Sequence, residues 1–272
     1  MKQRIITAAI MAAVAIALLA VGGIPLAAAI VAIICFAVYE EYGALRKAGH
    51  HPLAWPTWAG LALSVPLLAL GGAKLLIPLI IAVALTTAGC VIFRRDPTLE
   101  DILYSLLPFV SVVLPGMAML ALTAIHPKSV QLTYLCLMIA IPCVGDIFAL
   151  YVGSTFKGPK LCPPVSPNKT ISGAIGGLVG SLISSLLVGL IAWALAVQSR
   201  AVLPAWWHYV LLGLIGGVAG QLGDLFASLI KRHCGLKDFS NLFPGHGGML
   251  DRLDSVLFMA IIIFCYRMLT VL

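Results

Sequence analysis

Three stretches of the chain hold residues whose types and spacing can do chemistry. The longest runs from Asp224 through Ser228, Lys231 and Arg232 to Lys237-Asp238, then Pro244-Gly245-His246-Gly247-Gly248, and closes on Asp251-Arg252-Leu253-Asp254. If Asp251 opens a helix, Asp254 follows one turn later on the same face. With Asp224 as a third carboxylate from a neighbouring segment, the set offers the hard oxygen donors that Mg²⁺ takes, with positions left for phosphate oxygens and water. Lysine and arginine beside such an ion neutralise the remaining phosphate charge, which is what phosphoryl or nucleotidyl transfer needs. Gly245, Gly247 and Gly248 let backbone approach a ligand closely. His246 suits a phosphate or leaving-group contact, or equally a structural hydrogen bond to backbone, and Asp251-Arg252 suits an internal ion pair as well as a site.

The second stretch is Ser166-Pro167-Asn168-Lys169-Thr170, followed by Ser172-Gly173 and Gly176-Gly177. A proline-set turn with a lysine and hydroxyls leading into a helix N-terminus can hold phosphate on free amides and the positive end of the dipole. Helix initiation and close helix packing explain the same residues without a ligand. The third is Asp146, inside an otherwise apolar run. A carboxylate there must face the bundle interior or a wet cavity, as part of a site or as a hydrogen-bonding residue between helices.

The elements that carry these residues follow from composition. Of 272 residues, 61% are hydrophobic and 10% charged, against roughly 25% charged in a soluble domain. Apolar runs of about 20 residues recur along the whole chain, each long enough to cross a bilayer as a helix. The fold class is therefore all-α, a polytopic integral membrane bundle, with nine spans expected near 5–22, 24–45, 56–72, 75–93, 102–125, 131–155, 171–197, 206–230 and 254–271. An uncleaved first span is preferred over a signal peptide. Residues 1–130 form an N-terminal set of about five helices. Residues 131–272 form a four-helix catalytic region with loops 156–170 and 231–253. The seven cysteines show no Cys-x-x-Cys pair and read as packing residues.

With the N-terminus inside, thirteen of the seventeen lysines and arginines fall on the cytoplasmic side and four outside, at Lys74, Lys128, Arg200 and Arg267. All ten acids fall on that same side, which marks a charged working surface rather than a sorting signal alone. Asp96, Glu100 and Asp101 read as an ordinary connector. Trp206, Trp207 and Tyr209 read as an outer interfacial anchor, and His208 and His126 as structural.

The long stretch resembles the signature of the phosphatidate cytidylyltransferases, or CDP-diglyceride synthases. The match runs over about 27 residues, and the Ser166–Thr170 block and the Asp146 segment resemble further family elements in matching order. The resemblance implies an inner-membrane enzyme that transfers CMP from CTP to phosphatidate, giving CDP-diacylglycerol and pyrophosphate, with Mg²⁺ and, as an option, K⁺. By position, Asp224 and Asp251 are implied as metal ligands and Asp254 as a supporting carboxylate in the same metal set. The implied catalytic set is Asp224, Lys237, His246, Asp251, Arg252 and Asp254. Substrate contacts are implied for Asp146, Ser166, Lys169, Thr170, Ser228, Lys231, Arg232, Gly247 and Gly248. Two positions depart from the pattern: Ser172 stands where the family usually has glutamate, and Asn168 where a second basic residue is common. Expected partners are CTP, phosphatidate and surrounding lipid, with a homodimer as the oligomeric alternative. Nucleic acid is excluded, because the basic residues are divided among short loops. Rival readings are a CDP-alcohol phosphotransferase, whose Asp-Gly-x-x-Ala-Arg motif is missing, a polyprenol-phosphate sugar transferase, a CTP-dependent phytol or dolichol kinase, and a transporter, for which no internal repeat is found.

Overall fold

The computed structural model describes residues 2–195 and 203–271. Apolar side chains and the need to satisfy every backbone polar group in lipid leave the chain little choice but helix. The helices are α1 (Lys2–Val21), α2 (Gly23–Lys47), α3 (Trp55–Gly71), α4 (Leu76–Ile92), α5 (Leu99–Pro108), α6 (Leu114–Leu122), α7 (Lys128–Phe156), α8 (Ile171–Leu195), α9 (Trp206–His233) and α10 (Leu250–Val271). Pro108 lies at the junction of α5 and α6, where a π-helical turn at Phe109–Val113 joins the two into one bent rod.

Helices stand at all nine expected positions, yet among the described residues only six, counting α5 to α6 as one, are long and apolar enough to cross a membrane. The apolar part of α1, Ile6–Val21, and α3 and α4 have 16 or 17 residues, about 25 Å of helix against a hydrocarbon core of about 30 Å. The all-α reading needs one local correction. Lys160–Cys162 (β1) and Ser166–Thr170 (β2) pair antiparallel, with Lys160 opposite Thr170 and Cys162 opposite Ser166. The second stretch is therefore a hairpin strand rather than a simple turn into a helix, and Pro167, which lacks an N–H, sits on a short exposed ladder where a lost donor is tolerated.

The loops that carry charge gather at one end of the bundle. Arg94 donates to the carbonyl of His51 at 2.9 Å, His50 meets His233 at 3.0 Å, and Arg232 donates to the carbonyl of Val165 at 3.5 Å. At the opposite end Lys128 donates to the carbonyl of Ala20, and His208 bonds Tyr266. Arg200, counted above on the outer side, lies outside the described residues. Asp101 caps α5 reciprocally with Thr98, which accounts for it as a helix-end residue.

Two packing arrangements position the site. Helices α2, α6, α7 and α10 share a core of fully buried side chains that includes Val38, Met117, Met138 and Met259. Helices α7 and α8 approach through small residues: a Cβ on Gly153 would come within 3.3 Å of the Cα of Gly173, and one on Gly173 within 2.9 Å of the carbonyl oxygen of Ala149. Outward, large apolar side chains such as Leu150, Ile175 and Leu187 stand exposed for lipid.

Candidate active site

A cavity of about 480 Å³ opens between α7, the β1–β2 hairpin, α8 and α9. Its polar wall is Asp146, Asn168, Lys169, Thr170, Gln221 and Asp224, and its apolar wall includes Leu150 and Leu161. Asp146 lies ten residues before Phe156 at the end of α7, and Asp224 nine before His233 at the end of α9. Both carboxylates therefore sit roughly 14 Å inside their helix ends. The hairpin brings Lys169 down to them, where it forms an ion pair with Asp224, their side chains 28% and 26% exposed. Thr170, the last residue of β2, accepts the N–H of Gly173 at 3.1 Å and so caps α8. Ser172, the departure from the family pattern, donates to the carbonyl of Lys157 and lies 3.1 Å from the hydroxyl of Thr170, tying the hairpin to the end of α7.

The Asp224–Asp254 stretch divides between Asp224, which lines the cavity, and residues sealed within the loop. Asp251 is buried: one carboxylate oxygen pairs with Lys231 at 2.7 Å, and the other accepts the N–H groups of Phe239 and Gly248, each at 2.9 Å. The side chains of this ion pair are 10% and 2% exposed, and Asp251 is not on the cavity wall. Gly247, with φ of 81°, passes so close that a Cβ would lie 2.9 Å from the Asp251 carboxylate. Lys231 also stands 5.5 Å from the centre of the Phe239 ring. One turn on, Asp254 faces other neighbours: its oxygen accepts the N–H of Ser255 at 2.6 Å, and it lines a narrow void of about 10 Å³ with Glu41 and Ser111. Asp251 and Asp254 thus share a helix turn but serve different surroundings.

Electrostatically the groups that belong together are Asp146, Asp224 and Asp254. Asp224 acts on both of the others, and Lys169 and Arg252 act on Asp146. Ser228 donates to Asp224 at 3.4 Å. Arg232 braces two loops through the carbonyls of Val165 and Leu236. Lys237 and Arg252 are exposed, and among the described residues neither joins an ion pair. His246 keeps a buried ring nitrogen, Nδ1, that has no hydrogen-bond partner in the loop. Ser166 is partly buried in β2, away from the cavity lining.

Sequence reasoning missed the contribution of α2. Glu40 accepts Ser240 Oγ at 2.6 Å and the N–H of Met249 at 2.9 Å on one oxygen, and the N–H of Leu250 at 2.8 Å on the other. Glu41, fully buried, accepts the hydroxyl of Ser111 at 2.7 and 2.9 Å. The available signal was a pair of glutamates inside an apolar span, where acids must face protein. Gln221 was also missed. Its amide donates to the carbonyl of Ala174 at 3.0 Å from the cavity wall.

The donor chemistry can be tested against a metal. Among the described residues no group of three carboxylates, imidazoles or thiols encloses an ion alone. Mg²⁺ seldom asks for that, since one or two carboxylates with substrate phosphate oxygens and water complete its shell. Asp146 and Asp224, on the polar wall of the cavity, fit that demand.

A helical membrane bundle with buried carboxylates, a lysine and a cavity that has one polar and one apolar wall fits a membrane-embedded transferase acting on a lipid and a charged substrate. The chain belongs to the Cytidylyltransferase family, which matches residues 2–270. It is similar to the phosphatidate cytidylyltransferase of Brucella abortus, at 31% identity over 98% of this chain and 93% of the relative. It is also similar to the protein of that name from Bacillus subtilis, at 34% identity over 95% of this chain and 94% of the relative.

Proposed function

We infer that the chain transfers CMP from CTP to phosphatidate, forming CDP-diacylglycerol and releasing pyrophosphate. Family membership and near full-length similarity to two phosphatidate cytidylyltransferases support the reaction. The observation that carries it to named residues is the Lys169–Asp224 pair on the wall of the 480 Å³ cavity, with Asp146 beside it. A phosphatidate oxygen attacks the α-phosphorus of CTP, a P–O bond forms there, and the bond to pyrophosphate breaks. The attacking phosphate is already anionic near neutral pH, its second pKa being about 6. The site therefore has no need of a strong base, and its task is alignment and neutralisation of charge.

In this reading Lys169 exchanges part of its contact with Asp224 for a phosphate oxygen, and exposed Lys237 and Arg252 receive the rest of the polyphosphate. Asp146 and Asp224 would hold Mg²⁺, with Asp254 in electrostatic support. When bound, such an ion would supply Lewis-acid stabilisation of the phosphate charge. Asp251, whose oxygens are engaged in the loop, serves as the organiser of that loop. Leu150, 71% exposed, and Leu161 on the apolar wall suit acyl chains entering sideways from the inner leaflet. The charged end is the cytoplasmic one, where CTP is available, and α1, α3 and α4 cross with local thinning of the bilayer. On this reading the protein sits in the inner membrane with its C-terminus outside.

The test is pyrophosphate release by purified protein in detergent micelles with CTP, Mg²⁺ and phosphatidate, and with each omitted. Release that needs all three is expected. Formation of CDP without pyrophosphate, with a lipid alcohol in place of phosphatidate, would point instead to a CTP-dependent lipid kinase. Crosslinking with a photoreactive phosphatidate should label α7 to α9, and labelling confined to α1 to α5 would remove the lateral entry.

A further inference from the structure

We propose that Glu40 is a positioning residue of the reaction, a cap supplied in trans that fixes the loop and helix start on which Asp251, Arg252 and Asp254 are mounted. The proposal rests on the cytidylyltransferase reading for its kinetic part only. A helix begins with backbone N–H groups that lack partners, and an N-cap side-chain oxygen usually takes one of them. At the start of α10 the residue in that place is Met249, which has no oxygen to offer. The amides that lead into the helix, Gly248 and Met249, and the first helical one, Leu250, are met from elsewhere. Asp251 Oδ2 takes Gly248, while Glu40, from a helix more than 200 residues earlier, takes Met249 and Leu250. Glu40 also takes the hydroxyl of Ser240, so one carboxylate grips both arms of the loop that encloses Asp251.

The close fit is visible at Gly248. A Cβ there would stand 2.7 Å from both carboxylate oxygens of Glu40, so the loop accepts no side chain at that point while Glu40 is in place. Glu40 is itself 6% exposed, and no lysine, arginine or histidine pairs with it among the described residues. Its negative charge is therefore held by hydrogen bonds from neutral donors at the positive end of α10, which suits a fixed brace. An ion pair would instead compete for phosphate. Arg252 and Asp254 are two and four residues past Leu250, so a shift of the helix start moves both.

The experiment compares the full-length protein with Glu40→Gln, Ser240→Ala and Gly248→Ala in detergent. Glutamine keeps one acceptor oxygen but turns an N–H₂ toward one of the donors. Its kcat should fall about 10- to 100-fold, the scale of a displacement of about 1 Å in a reacting constellation, with KM for CTP and phosphatidate changed less than about threefold. Hydrogen exchange should show lost protection at the amides of Met249 and Leu250, while amides elsewhere in α2 and α10 and the unfolding midpoint stay close to wild type. Unchanged kcat, or a fall matched by loss of folded protein with specific activity retained, would overturn the proposal. If Glu40→Gln does not fold, the two loop variants decide: both should lower kcat and loosen the same amides, and normal kcat in both overturns it. Inactive wild-type protein would sink the cytidylyltransferase reading, whereas the exchange result would still judge the brace.

Discussion

Two lysine–aspartate pairs occupy neighbouring regions of this molecule and have opposite prospects. Lys169–Asp224 stands on the wall of a large cavity, each side chain about a quarter exposed. Lys231–Asp251 is sealed beneath the loop, and the second oxygen of Asp251 is taken by two backbone amides. The chemical types are identical, so exposure and the remaining hydrogen bonds decide the role. An accessible pair can exchange partners with a phosphate, because solvent screening leaves little to lose when it opens. A sealed pair cannot, since separating it strands a charge away from water.

The comparison can be broken most directly at Asp224. Asp224→Asn should lower kcat about a hundred- to a thousandfold, with the unfolding midpoint near wild type. A comparable loss should follow removal of Mg²⁺ by a chelator and return when the ion is restored. Asp251→Asn should also abolish most activity, but through the fold. A lone Lys231 charge beneath the loop costs about 3–5 kcal/mol, to be seen as earlier unfolding in denaturant. A second change, Lys231→Met, should restore part of that stability without restoring turnover. Equal stability of Asp224→Asn and Asp251→Asn would remove the distinction drawn here.

Lys169→Met should reduce kcat/KM for CTP about 10- to 100-fold, in keeping with loss of one charge-assisted phosphate contact, and shift stability by no more than about 1 kcal/mol. A large loss of stability would move Lys169 into the structural class with Lys231. Smallest of all should be Asp96→Asn. It is an exposed connector residue, and its turnover should stay within about twofold of wild type, as is usual for surface positions. A severe loss in well-inserted protein would show that the connector is part of the working surface.

Helix positions were legible because apolar length is a local property: α7, α8 and α9 lie where continuous apolar runs predict them. The three short helices show the limit of that reading, since an apolar run announces a helix more surely than it announces a complete crossing. Signature residues were legible for a similar reason, their types and order being enough to mark Asp224 to Asp254 as one chemical unit. Their division of labour was not legible. Helical spacing puts Asp251 and Asp254 one turn apart, yet only packing turns Asp251 toward Lys231 and Asp254 toward Glu41 and Ser111.

By itself, then, the amino-acid sequence determined a helical membrane protein, the end of the bundle that gathers charge, and the stretches that carry the family resemblance. Composition, periodicity and short-range spacing carry that information. Only the tertiary structure decided that Ser166–Thr170 is a strand that lowers Lys169 onto Asp224, that Asp251 is sealed, and that Glu40 caps a helix 209 and 210 positions downstream. A buried hydrogen bond is set by which groups meet when distant segments pack, and nothing in the local pattern around Glu40 or Met249 specifies that meeting.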